Sequence, residues 1–73
     1  MRLTELHHDL VALRADLAEE LLAINRLESQ TFDLVDDDVR EELRRLADEK
    51  KAHALVLLGL LQRLDPKFAG SRG

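Results

Sequence analysis

The chain has no cysteine. Disulfides and thiolate metal sites are therefore excluded. It also lacks a long block of one charge. Eleven Lys and Arg stand among fifteen Asp and Glu, for a net charge of −4. That mixed, mildly acidic balance argues against nucleic acid or an acidic membrane surface as partner. No apolar stretch at the N-terminus has the form of a signal peptide. The greasiest run, from Ala54 to Leu61, is far short of the roughly 20 residues that a membrane-spanning helix needs. A cytoplasmic location is the resulting expectation. Internal repeats and low-complexity tracts are missing too.

With 73 residues there is room for one domain. A chain this short buries only about 60% of the surface its unfolded form exposes. It ordinarily needs a staple. Without thiols, the staple is a partner chain, a metal held by carboxylates and histidines, or both.

What is present is helical. Leu3, Leu6, Leu10, Leu13, Leu17, Leu21, Ile24 and Leu27 recur in steps of three and four, which places them on one helical stripe. Ala, Leu, Glu and Arg fill much of the rest and favour helix. Thr4 is an N-cap candidate. The pattern falters at "SQTFDLVDDD". There Asp36, Asp37 and Asp38 are N-cap candidates, and Asp38 to Glu41 reads as a capping-box-like start. A second stripe follows through Val39, Leu43, Leu46, His53, Leu57, Leu60 and Leu64. Pro66 ends it, because the residue before proline avoids helical geometry. The spacing predicts helix 1 over about residues 3–30, a turn over about 31–37, helix 2 over about 38–65 and a frayed tail over 66–73. A short connection makes the pair an antiparallel hairpin.

Helix 2 has more apolar surface than one stripe. Leu55, Val56, Leu58 and Leu61 extend it around the helix, and a helix apolar on all sides is a buried helix. The expected architecture is all-α: a hairpin that forms a homodimer or higher homo-oligomer and closes a four-helix bundle. Docking on a different protein is the alternative.

Folding the hairpin about residues 34 and 35 sets Glu20 opposite Glu49 and Asp16 opposite His53. Lys50 stands beside them. Five titratable groups thus meet near one level of an interior that should be dry. A structural reading pairs Glu20 with Lys50 and hydrogen-bonds His53 to Asp16. Burying unpaired charge is costly, however, so such a cluster asks for a reason. A functional reading makes it a metal site, because carboxylate and imidazole ligands suit iron or manganese, with zinc a further candidate. Glu5 and His8 form a literal Glu-x-x-His, but opposite them stand Leu61 and Leu64, and no acid. That pair reads as a solvated face.

The Glu19-Glu20 pair, the separation from Glu20 to His53 and the segment "LADEKKAHALVLLGLLQRLDPKF" over 46–68 resemble the encapsulated ferritin family. Those are short two-helix chains that dimerise into a ferritin-like four-helix bundle. The resemblance covers residues 17–68. It implies iron binding and ferroxidase activity at a di-iron centre between subunits. Carried over, Glu20 and His53 match ligands. Glu49 takes the place of the helix-2 Glu, because Lys50 stands three residues before His53 where the family has an acid. Asp16 would support the ligands and Lys50 would modulate the charge. Arg26 and Leu27 replace the aromatic pair of the family. No targeting tail is read after Phe68, so an encapsulin shell is not an expected partner. Two functions follow. One is a metal-binding ferritin-like protein with an altered site, Glu20, Glu49 and His53. The other is a metal-free structural or interaction protein in which the Lys50 ammonium replaces the metal's charge.

Overall fold

The computed structural model describes residues 3–65 and Lys67. Two helices make up the described part, α1 (Leu3–Asp33) and α2 (Asp37–Leu64), packed along each other. Among the described residues there is no strand. Among these residues no helix is long and apolar enough to cross a membrane.

α1 runs about one turn further than its sequence pattern predicts. Thr31 sits inside the helix, where its hydroxyl donates to the Glu28 carbonyl at 2.6 Å. A threonine bonded back along its own helix is accommodated there. The connection is therefore only Leu34, Val35 and Asp36. α2 starts on Asp36 as N-cap, with extended backbone (φ −73°, ψ 120°) and a carboxylate that accepts from the Val39 N–H at 3.1 Å. This cap places Asp37 and Asp38 in the first turn, where the helix dipole favours acids. The capping box expected at Asp38 is not used, because residue 39, at the third position, is Val. At the other end, Asp65 leaves helical geometry (φ −136°, ψ 89°) just before Pro66, and its N–H still donates to Leu61 O at 2.7 Å. The predicted frayed tail lies outside the described residues, apart from Lys67, whose N–H donates to Asp65 Oδ1 at 3.3 Å.

The seam between the helices follows alternating steps of three and four. On α1 it runs through Leu6, Leu10, Leu13, Leu17, Glu20, Ile24, Leu27 and Thr31, and on α2 through Arg40, Leu43, Ala47, Lys50, Ala54, Leu57, Leu61 and Leu64. That is the heptad spacing of a coiled coil. The α1 stripe matches the sequence pattern from Leu6 to Leu27 except at Leu21, which is half exposed while Glu20 holds the seam. The α2 stripe keeps Leu43, Leu57 and Leu64 but is rotated by about 50°, half the angle of one helical residue: Ala47, Ala54 and Leu61 join the seam, whereas Val39, Leu46, His53 and Leu60 are exposed. Small residues in the seam let two helix backbones approach closely. The large residues beside them are left on the surface.

The hairpin has little interior. Among the described residues Ile24, Ala47 and Leu61 are its buried apolar side chains. The molecule measures 51 × 22 × 14 Å with a radius of gyration of 15.7 Å, against about 11 Å for a compact chain of this length.

Candidate functional site

The rotation of α2 decides what meets Glu20. Lys50, not Glu49, enters the seam. Its Nζ lies 3.4 Å from Glu20 Oε1. The Glu20 side chain is 19% exposed and the Lys50 side chain 39%. The second carboxylate oxygen, Glu20 Oε2, is buried and accepts no hydrogen bond. His53 Nδ1 approaches it at 3.8 Å, beyond hydrogen-bond reach, from a side chain that is 65% exposed. His53 thus stands on the shoulder of the seam rather than in it.

Asp16, Glu19, Glu20, His53, Val56 and Leu57 line a shallow hollow on this side of the hairpin. Asp16 shares the hollow with His53, but no hydrogen bond joins them among the described residues. Glu49 is exposed on the outer surface of α2. Its charge acts on Arg45, whose guanidinium is held above its ordinary value by the hydrogen bond and charge of Glu42, with Glu49 adding to it. Of the five groups expected at one level, the hairpin brings together Glu20, Lys50 and His53. Asp16 borders them, and Glu49 points elsewhere.

These donors do not fit a di-iron centre within one chain. A protonated ammonium offers no lone pair and repels a cation. It occupies the place beside Glu20 where a second carboxylate would be required. Among the described residues no three His, Asp or Glu side chains cluster closely enough to hold a metal ion. At the far end, His8 is 84% exposed and lies 3.7 Å from Asp9, and Glu5 is exposed as well. This agrees with their reading as a solvated face.

Two further ion pairs join the helices on the opposite side. Arg14 Nη2 donates to Asp65 Oδ2 at 3.2 Å. Lys51 Nζ stands 2.8 Å from Glu28 Oε2. The hydrogen bond and charge of Glu28 raise the Lys51 ammonium above its ordinary pKa. Neither pair follows from folding the chain about residues 34 and 35. Their signal was the seven-residue spacing of Arg14, Leu21 and Glu28 and of Lys51, Leu58 and Asp65, one position beyond the seam on each helix. No family model, curated protein or solved structure matches the chain.

Proposed function

We propose that this chain is a non-enzymatic, self-assembling helical hairpin, two copies of which close a four-helix bundle without a metal centre. The observation that carries the absence of a metal centre is the ion pair of Lys50 with Glu20 at 3.4 Å in the seam. A ferritin-like site needs an acid at that place. The ammonium instead supplies a fixed positive charge to the carboxylate. A polar pair in the middle of a coiled-coil seam fixes register at some expense of stability. Self-association is supported by the small interior, since a chain with so few buried residues gains its stability by covering more of its surface.

A second reading rests on one observation, the buried Glu20 Oε2 without a donor and with His53 Nδ1 at 3.8 Å. It makes the protein a ferritin-like binder of iron, manganese or zinc, with Glu20, Glu49 and His53 as ligands completed by the partner copy. It requires Lys50 to leave the seam and Glu49 to turn inward. The two readings separate on metal analysis of the purified chain together with its mass by light scattering. The proposal expects a dimer with no stoichiometric metal. A metal present in a fixed ratio and lost in Glu20→Ala would overturn it in favour of the second reading.

A further inference from the structure

The side of the hairpin away from His53 is apolar on both helices. Leu17, Leu21 and Ile24 of α1 and Ala54, Leu55 and Leu58 of α2 line one shallow groove there. Leu55 is 69% exposed and Leu21 50%. Toward the turn the surface becomes mixed: exposed Phe32 shares a hollow with Glu28, Arg44, Asp48 and Lys51. Arg14 with Asp65 and Glu28 with Lys51 border the groove. Each of these charges is already neutralised within the chain. Covering the groove therefore desolvates carbon and strands no charge, the pattern of an apolar centre with a polar rim.

The other side is mixed: α2 exposes Leu46, Val56 and Leu60 there as well, but α1 brings charge. There α1 presents Asp16, Glu19 and Glu20 to the hollow, with His53 opposite. A copy laid on it would bury the carboxylates of Asp16 and Glu19, which have no donor among the described residues, and the unpaired oxygen of Glu20, which is costly.

The surface area argues for the occupant. The chain exposes 5744 Å², whereas a compact chain of its mass exposes about 4,600 Å². The excess, about 1,100 Å², exceeds the roughly 800 Å² per partner of a standard interface.

We propose that a second copy of this chain covers the groove of Leu21, Leu55 and Leu58, and that the hollow of Glu20 and His53 therefore faces outward in the assembled bundle. This rests on the self-association reading above and names its face. The test uses light scattering and circular dichroism on the full chain with Leu55→Glu and, as the matched control across the hairpin, Val56→Glu. Both positions are exposed in the single hairpin, so the charges spare its own seam. Leu55→Glu is expected to halve the mass, whether or not helicity falls with it, and Val56→Glu to retain the dimer. A second measurement uses the absence of cysteine. In the assembled protein the thiol of Leu55→Cys should react with a maleimide at least about tenfold more slowly than that of Val56→Cys, through burial in a dry contact. The thiol comparison decides if both charges dissociate the assembly or neither does. Equal rates, or faster reaction at position 55, would overturn the proposal. A dimer lost in Val56→Glu and kept in Leu55→Glu would also overturn it, while leaving self-association standing. A monomeric wild-type chain would overturn both.

Discussion

Lys50 Nζ and Glu20 Oε1 stand 3.4 Å apart in the middle of an otherwise apolar stretch of the seam, between Leu17 and Ile24 on α1 and between Ala47 and Ala54 on α2. The pair costs desolvation on both partners and regains it only in part, because Glu20 Oε2 has no donor. Removing the cation alone should expose that imbalance. Lys50→Met is expected to destabilise the protein by about 1–3 kcal/mol, the cost of an unsatisfied buried group. Adding Glu20→Leu should recover the loss and exceed wild type by about 1–4 kcal/mol, as when apolar side chains replace a buried ion pair. Urea unfolding of the two single variants, the double variant and wild type measures the cycle. A double variant below wild type would make the pair a net source of stability.

The seam of α1 was legible in the sequence because Leu and Ile hold nearly every seam position. The seam of α2 was legible only in part, at Leu43, Leu57 and Leu64. From Ala54 to Leu61 apolar residues surround the helix and leave its phase undefined, and Leu46 outweighs Ala47 in any reading by hydropathy. Packing favours the alanines, since they admit a second helix backbone. That rotation by about half a residue sent Glu49 outward and Lys50 inward. The meeting of Glu20 with Lys50 and of Glu20 with His53 was within reach of the hairpin fold. Which acid or base of helix 2 entered the seam depended on small-residue packing, which the spacing of large residues does not record.

The cap of α2 gives a sharper local test. Asp36 accepts the Val39 N–H at 3.1 Å, whereas Asp38 lies inside the first turn. Asp36→Ala should cost about 1 kcal/mol, the usual value of an N-cap. Asp38→Ala should stay within about 0.5 kcal/mol of wild type, as for an ordinary surface change. Equal losses in thermal unfolding would mean that the helix starts later than Asp37.

Gly59 lies within α2 on its outer surface, and a methyl group added there meets nothing within 4 Å. It contributes flexibility to the unfolded chain without a packing role in the hairpin. Gly59→Ala is therefore expected to stabilise the protein by about 0.5–1 kcal/mol. A lower melting temperature would show that this outer face is closely covered in the assembly.

Lys51 and Glu28 link the helices beside the apolar groove at 2.8 Å. The carboxylate raises the ammonium pKa. A group whose pKa is raised on folding contributes stability at neutral pH and loses it as pH climbs through the raised value. The melting temperature of wild type should thus exceed that of Glu28→Gln at pH 7. The difference should shrink well above the ordinary lysine value of about 10.4. A gap unchanged at strongly alkaline pH would assign the effect of Glu28 to something other than this charge pair.

The last test inverts the charge that separates the two functional readings. Lys50→Glu would put a carboxylate into the seam beside Glu20 and three residues before His53, so that Glu-x-x-His stands on α2. Without metal, two carboxylates would share a partly buried place, and the variant should be less stable than wild type in the presence of a chelator. A divalent cation would relieve that repulsion and gain acidic ligands, with His53 one turn away. Binding to the folded state alone stabilises by about 2.7 kcal/mol when the metal exceeds its dissociation constant a hundredfold. In a domain this small each kcal/mol raises the melting temperature by about 4–8 °C. Lys50→Glu should therefore melt well above its chelated form with Mn²⁺ or Zn²⁺, or with Fe²⁺ under anaerobic conditions, while wild type does not move. A wild-type shift that disappears in Glu20→Ala would instead mean that the native chain already holds a metal. No shift in either protein, with helicity and mass intact, would mean that Glu20, position 50 and His53 do not converge on one ion, and that the likeness of this level to a ferritin-like centre is one of spacing alone.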